Sequence, residues 1–284
     1  MRPPLALAAL LLVPVATSAA DVRWEFEAGD THTYEFTQTS SAEVTQFGQT
    51  GPVKNDLAFT LKWAVKSVND DGSAVVEQTV ERVKVATTAG DAAPDVYDSA
   101  ATGDDARDPA TLPVRVRVLG QMAGETFTAT VAPDGTASGL TIPDDLARAI
   151  AAAGPGNPFG TEQVTLLFTD LGYALPPAGT AVGDTYKTDV VMPLSFGKVI
   201  DARTMTLTAA DDATAAIELK SAFRSADKDA PVKVEKGTQT GGVVFDTAEG
   251  RLSAVNTTQT AELTGAGGFA VKLKSVSALK RTGD

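Results

Sequence analysis

The stretch LAFTLKWAVKSVNDDGSAVVEQTVERVKV, residues 57–85, decides the fold class. Large apolar side chains occupy every second position from Leu57 to Val65, which is typical of a strand with one buried face. Residues 69–72, Asn-Asp-Asp-Gly, then supply a turn, and the apolar alternation returns over residues 74–85. The stretch therefore predicts an antiparallel β-hairpin.

The same alternation recurs along most of the chain. Before the middle of the sequence it predicts further strands at residues 21–26, 31–44, 114–118, 127–131 and 136–142. After Val182 it predicts six more, at residues 186–192, 199–209, 213–223, 232–246, 252–263 and 269–279. Residues 46–55 and 86–113 are rich in Gly, Pro, Asp and Thr and are predicted to be loops. We expect about ten to fourteen strands in all, mostly antiparallel.

Two short helices are predicted between the two β tracts. The first follows Pro143 and places Leu146 and Ile150 on one face. The second begins at Thr161 and carries apolar residues at positions i, i+3, i+4 and i+7. Those four residues are Val164, Leu167, Phe168 and Leu171. Helices this short need packing for stability, so the six side chains either face an apolar ligand or belong to the core.

The first twenty residues are typical of a signal peptide. Met1-Arg2 gives a positive start, residues 5–15 are apolar, and Ser18 and Ala20 are small residues at a cleavage site. We therefore expect an exported bacterial protein, periplasmic or secreted. No later stretch is apolar enough to span a membrane, so we do not expect a membrane-spanning protein.

The predicted organisation has four parts. Residues 1–20 are the signal peptide, 21–142 an N-terminal β region, 143–175 a helical joint and 176–284 a C-terminal β region. Residues 21–284 form either one domain or two similar halves, because Gly-Asp-Thr directly precedes a Tyr-bearing strand in both β regions.

The amino-acid composition excludes several kinds of catalytic and binding site. The chain has no cysteine, which removes thiol nucleophiles and thiolate metal sites. Its net charge of −12 disfavours nucleic acid as a partner. His32 is the single histidine and no G-x-S-x-G motif is present, so we predict no catalytic residue, no cofactor and no metal site. Acidic loops that bind calcium and a carboxylate pair that hydrolyses glycosides remain as alternatives.

Several short motifs resemble one family. They are Arg23-Trp24-Glu25-Phe26 with Ala28-Gly29-Asp30, Trp63–Val68 before Asp70-Asp71-Gly72-Ser73, Val96-Tyr97-Asp98-Ser99 and Val182-Gly183-Asp184-Thr185. In these the chain is similar to an uncharacterised exported family of planctomycete-type bacteria, a domain of unknown function. The resemblance implies export and an architectural role for the Trp, Gly and Asp residues, and it transfers no catalytic or binding residue.

The sequence thus predicts a mainly β protein: a large, strongly curved antiparallel sheet or open barrel with two short helices packed on it. By analogy of fold with periplasmic lipid and lipoprotein carriers, we expect a non-enzymatic exported protein that binds an apolar small molecule between sheet and helices. The alternatives are a cell-envelope structural or protein-interaction module, with an envelope protein as partner, and a carboxylate-dependent hydrolase.

Overall fold

The described residues form one large antiparallel sheet and three α-helices. The computed structural model describes residues 21–108, 111–154, 160–169, 175–194 and 197–283. The strands are β1 (Thr31–Gln46), β2 (Gln49–Val68), β3 (Ala74–Ala89), β4 (Asp95–Asp98), β5 (Thr126–Val131), β6 (Ala137–Thr141), β7 (Thr185–Leu194), β8 (Gly197–Ala210), β9 (Thr214–Ser225), β10 (Val232–Asp246), β11 (Arg251–Gly265) and β12 (Ala270–Gly283). The helices are α1 (Val114–Gly120), α2 (Asp144–Ala152) and α3 (Thr161–Thr169). The predicted mainly β, antiparallel fold class is confirmed.

The strand order makes one continuous sheet from two meanders. It runs β6-β5-β3-β2-β1-β12-β11-β10-β9-β8-β7, with β4 paired to β3. Strands β1 and β12 pair along almost their whole length and join the N-terminal and C-terminal strands at the centre. The proposed domain boundaries stay a prediction.

Helix α3 contacts the two edge strands of the sheet. It packs against β6 at one edge of the sheet and against β7 at the other. A nine-residue helix can reach both edges only because the sheet curves round on itself. Within the described residues β6 and β7 do not pair, so the sheet is an open barrel with α3 across its seam.

The core lies on the concave face and contains an aromatic cluster. The rings of Trp24 and Trp63 stack at a centroid distance of 5.5 Å, and Phe245 meets Trp24 edge-on at 5.7 Å. Tyr34 contacts Trp63 at 5.4 Å. Both tryptophans are buried, so they are core residues, as the sequence alternation around each predicts.

Two equivalent turns begin the two β tracts. Gly29 donates its N–H to Val65 of β2 (2.8 Å), and Val65 donates back to the carbonyl of Asp30 (2.9 Å). Gly183 donates in the same way to Leu207 of β8 (2.7 Å). Both glycines have φ of +97°, and a β-bulge follows both acceptor residues. The repeated Gly-Asp-Thr therefore marks a repeated local structure.

Residues 46–55 are not a loop, contrary to our prediction. Phe47 and Gly48, with φ of +52° and +77°, form a two-residue turn, and the ladder between β1 and β2 begins immediately beside it at Gln46 and Gln49. Positive φ at both central residues gives the twist that a tight hairpin requires. Gly51 and Pro52 lie within β2.

Residues 114–118 form a helix, and the predicted strand there is wrong. Val-Arg-Val-Arg-Val alternates, yet Val116, Leu119 and Met122 are buried at helical spacing, and α1 packs against β3. The backbone begins the helix directly after Pro113. We predicted two helices and the structure has a third.

Residues 21–26 are extended but outside the sheet, so the strand predicted there is also wrong. Trp24 donates its N–H to Pro133 (2.8 Å) and Glu25 donates to Gly250 (3.0 Å), so this backbone bonds to two turns instead of a neighbouring strand. The segment crosses one end of the barrel and fixes Trp24 in the core. The predicted signal peptide, residues 1–20, lies outside the described residues.

Candidate ligand-binding cavity

A cavity of about 360 Å³ lies between α3, the end of β7 and the concave face of the sheet. This volume falls within the range of about 300–1,000 Å³ usual for small-molecule sites. The lining residues are Phe36, Gln38, Leu57, Gln163, Leu166, Leu167, Met192, Pro193, Leu194, Asp201, Arg203, Phe223, Gln239, Thr257, Gln259 and Ser277. Its helix and β7 walls are mainly apolar, whereas much of the sheet wall is polar.

The inner face of α3 anchors the helix. Phe168, 2% exposed, stacks on Phe127 of β5 with ring centroids 3.9 Å apart. Val164, one turn earlier, is fully buried. On the other side of the seam, Gln163 donates its Nε2–H to the carbonyl of Pro193 in β7 (2.6 Å). These contacts fix α3 to both edges of the sheet.

The predicted apolar stripe divides between core and cavity. Leu146 and Ile150 of α2 are buried in the core, as are Val164 and Phe168. Leu167 is partly buried and lines the cavity, and Leu171 lies outside the described residues.

Leu166 also lines the cavity and was missed. It lies outside the i, i+3, i+4 spacing, so no helical pattern could identify it without knowledge of where the sheet edges lie.

A belt of polar side chains crosses the sheet wall. Residues directly opposite one another on seven adjacent strands, β2 to β8 through β1 and β12, are all polar. We call them the polar belt: Asn55, Ser40, Ser275, Gln259, Gln239, Ser221 and Arg203. Period-two alternation places all of them on the concave face. The belt separates the aromatic core from the rest of the concavity.

A buried ion pair stands at one end of the belt. The Nε–H of Arg203 donates to Oδ2 of Asp201 at 2.6 Å, and the two side chains are 4% and 1% exposed. The second carboxylate oxygen, Oδ1, has no hydrogen-bond partner within the described part of the chain. The Oγ atoms of Ser221 and Ser275 in the belt are likewise buried without a partner there. Buried polar atoms of this kind require an explanation, since almost all are normally hydrogen-bonded.

A surface groove of about 320 Å³ adjoins the cavity at the seam. It runs between the β5–β6 turn, α3 and β7, and it shares Leu166 and Arg203 with the cavity lining. Leu166 and Arg203 therefore lie between the cavity and the outer groove.

The titratable groups whose pKa values are shifted lie outside the described cavity lining. The guanidinium of Arg82, bonded twice to Asp98, holds the pKa of that carboxyl below its ordinary value. A hydrogen bond from Ser73 lowers the pKa of Asp71, and burial raises the pKa of Tyr186. His32 contacts Arg251 (3.2 Å). Within the described residues no group of three or more His, Asp and Glu side chains is arranged to hold a metal ion.

Comparisons of this chain with known proteins give information on its fold only. No protein-family model and no curated sequence matches the chain. A solved structure of lipovitellin, described for its lipid–protein interactions, is similar with a TM-score of 0.51 and 12% identity over 91% of this chain. The match covers 26% of that chain, so this protein corresponds to about a quarter of it. The resemblance to an exported planctomycete-type family stays a prediction.

Two further solved structures match at lower scores. The translocator domain of the autotransporter NalP from Neisseria meningitidis has a TM-score of 0.32 at 9% identity, over 90% of both chains. An outer-membrane channel from Pseudomonas putida F1 has 0.25 at 8%, over 92% of this chain and 98% of that one. TM-scores this low do not establish a shared fold. None of the helices described here has the length and apolarity to cross a membrane.

Proposed function

We propose that this protein is a non-enzymatic exported carrier that binds a ligand with an apolar part in the cavity beneath α3. The observation that carries the proposal is the cavity itself, because its apolar wall, which includes Leu166, Leu167 and Met192, faces the inside of a curved sheet. Apolar side chains that line a ligand-sized space lose the packing contacts that a filled core would give them. A bound apolar group restores those contacts.

The acid content of the cavity supports a binding role over hydrolysis. Asp201 is the one carboxylate among the described residues that line it, and its Oδ2 is held by Arg203. A glycoside hydrolase of the ordinary type needs two carboxylates across the scissile bond. The polar belt supplies hydrogen-bonding groups for orientation and no nucleophile with an adjacent base.

The proposal is tested by native mass spectrometry of protein exported by its own host, followed by titration with the neutral fluorophore N-phenyl-1-naphthylamine. A co-purifying lipid-sized mass and saturable fluorescence are expected. Leu167→Trp, which fills the cavity with an apolar side chain, should abolish the saturable signal.

The matched control is Val276→Trp, which changes an exposed valine on the outer face of β12 and should leave binding unchanged. A clean apo mass together with equal fluorescence from wild type and Leu167→Trp would refute the carrier function.

An envelope protein-interaction module is the second candidate. It is favoured by Phe47, which is 84% exposed at the tip of the β1–β2 hairpin, an unusual position for a large aromatic residue. Crosslinking from a photoreactive residue at position 47 in the native envelope should then recover one defined partner. Recovery of none would remove this candidate.

A further inference from the structure

Within the described residues, only one of the two buried oxygens of the Asp201 carboxylate accepts a hydrogen bond. Its Oδ2 accepts from Arg203, while Oδ1 is buried and has no partner within the described residues. The side chain is 1% exposed and lines the cavity. A buried acceptor without a donor loses its hydration and gains nothing in return. A donor that arrives with the ligand would complete its hydrogen bonding.

The polar belt places further polar groups on the sheet beside Asp201 and Arg203. Ser221 lies opposite Arg203 on the next strand, and its Oγ is also buried and unpartnered within the described residues. Gln239 and Gln259 continue the belt along the cavity lining. A purely apolar ligand would cover the amides of Gln239 and Gln259 and offer them no hydrogen bond, which a polar group on the ligand avoids.

The charged residues of the site limit which polar group the ligand can carry. Within the described lining Asp201 and Arg203 are the two charged residues, and they are paired with each other. The oxygen left over is an acceptor that carries negative charge, so it repels a carboxylate or phosphate and attracts an O–H or N–H donor. Because the pair is neutral overall, it does not compensate a second buried cation.

Building on the carrier function proposed above, we infer that the ligand is an amphipathic molecule with an uncharged, hydrogen-bond-donating head group, of the fatty-alcohol or monoacylglycerol class. Its hydroxyl donates to Oδ1 of Asp201 and its head lies on the polar belt. Its alkyl chain lies against Leu166 and Leu167 of α3. The wall is thus divided between a head-group side on the sheet and a tail side on the helix.

The test displaces N-phenyl-1-naphthylamine from the full-length exported protein with four ligands of equal chain length: 1-dodecanol, lauric acid, dodecylamine and dodecane. We expect 1-dodecanol to bind roughly tenfold or more tightly than the other three, the effect of one hydrogen bond to a charged acceptor. The double variant Asp201→Asn/Arg203→Gln, which removes both charges at similar size, should lose most of this preference while it still binds the fluorophore.

The matched control is Glu218→Gln/Lys220→Gln. This pair has the same i, i+2 spacing on one strand but is exposed on the outer face of β9, so the preference should persist. If the first double variant fails to fold, Gln239→Leu/Gln259→Leu replaces it, because both glutamines line the cavity, and it should also reduce the preference for 1-dodecanol.

The outcomes separate the two proposals. Equal affinity for all four ligands, or tightest binding of lauric acid or dodecylamine, overturns the inference and leaves the carrier function intact. Absence of binding by the fluorophore and by all four ligands overturns the carrier function itself.

Discussion

Two neighbouring residues of α3, Leu167 and Phe168, should respond very differently to truncation. Phe168 is fully packed against Phe127, so Phe168→Ala should cost about 3–5 kcal/mol of unfolding free energy, the usual range for a buried phenylalanine. Leu167 is only partly buried and already borders a void. Leu167→Ala should therefore cost about 1 kcal/mol, since it enlarges a cavity without unpacking the core.

Urea unfolding measures both values, with Trp24 and Trp63 as buried fluorescent reporters. The two variants shorten adjacent residues of one helix to the same residue, so each controls for changes in helix propensity. Equal losses for the two, or a larger loss for Leu167→Ala, would refute the division of α3 into a core face and a cavity face.

Three further predictions concern the sheet and its turns. Gly183→Ala should destabilise the protein by about 1–3 kcal/mol in urea unfolding, because φ is +97° there, whereas Gly51→Ala, with open space and ordinary φ, should not. Gly237→Ala should lower stability and alter fluorophore binding, because the new Cβ would lie 2.7 Å from the Cβ of Phe223, which lines the cavity. Unchanged fluorophore binding would contradict this prediction. The carboxyl of Asp98 has a folded pKa below its ordinary 3.8, so its stabilising effect is present above that pH and lost as the pH falls through the folded value. Asp98→Asn should therefore weaken the pH dependence of stability below pH 3.8, and identical pH profiles would show that the pair with Arg82 contributes nothing.

The sheet could be predicted from the sequence because its signal is local. Period-two alternation located most of the strands, since each strand has one wet and one buried face. The pattern failed where two periods coincide: Val116 and Val118 fit an alternating strand, yet their burial depends on the position of α1 over β3. The loop predicted at residues 46–55 was also wrong after the turn, because the Gly and Pro of residues 49–55 gave a strand the composition of a loop.

The cavity could be predicted only in part because it is assembled from distant strands. The stripe on α3 indicated a contact with the sheet and included Leu167, but it could not show which residue would face a void. The polar belt has no signature along the chain, because its seven members come from seven different strands. Asp201 and Arg203 look like any exposed pair in an alternating strand until the topology places them on the concave face.

The pairing of β1 with β12 has a consequence for how the chain folds. Every other neighbour in the C-terminal meander is a hairpin partner, whereas Thr39 and Val276 meet across almost the whole sequence. Such a non-local ladder forms late, since loop-closure entropy opposes it until the hairpins on both sides exist. During that interval both strands are open edges, and β12 of a second molecule fits β1 as well as its own does. Refolding at high concentration should therefore produce strand-exchanged dimers, which dilution suppresses.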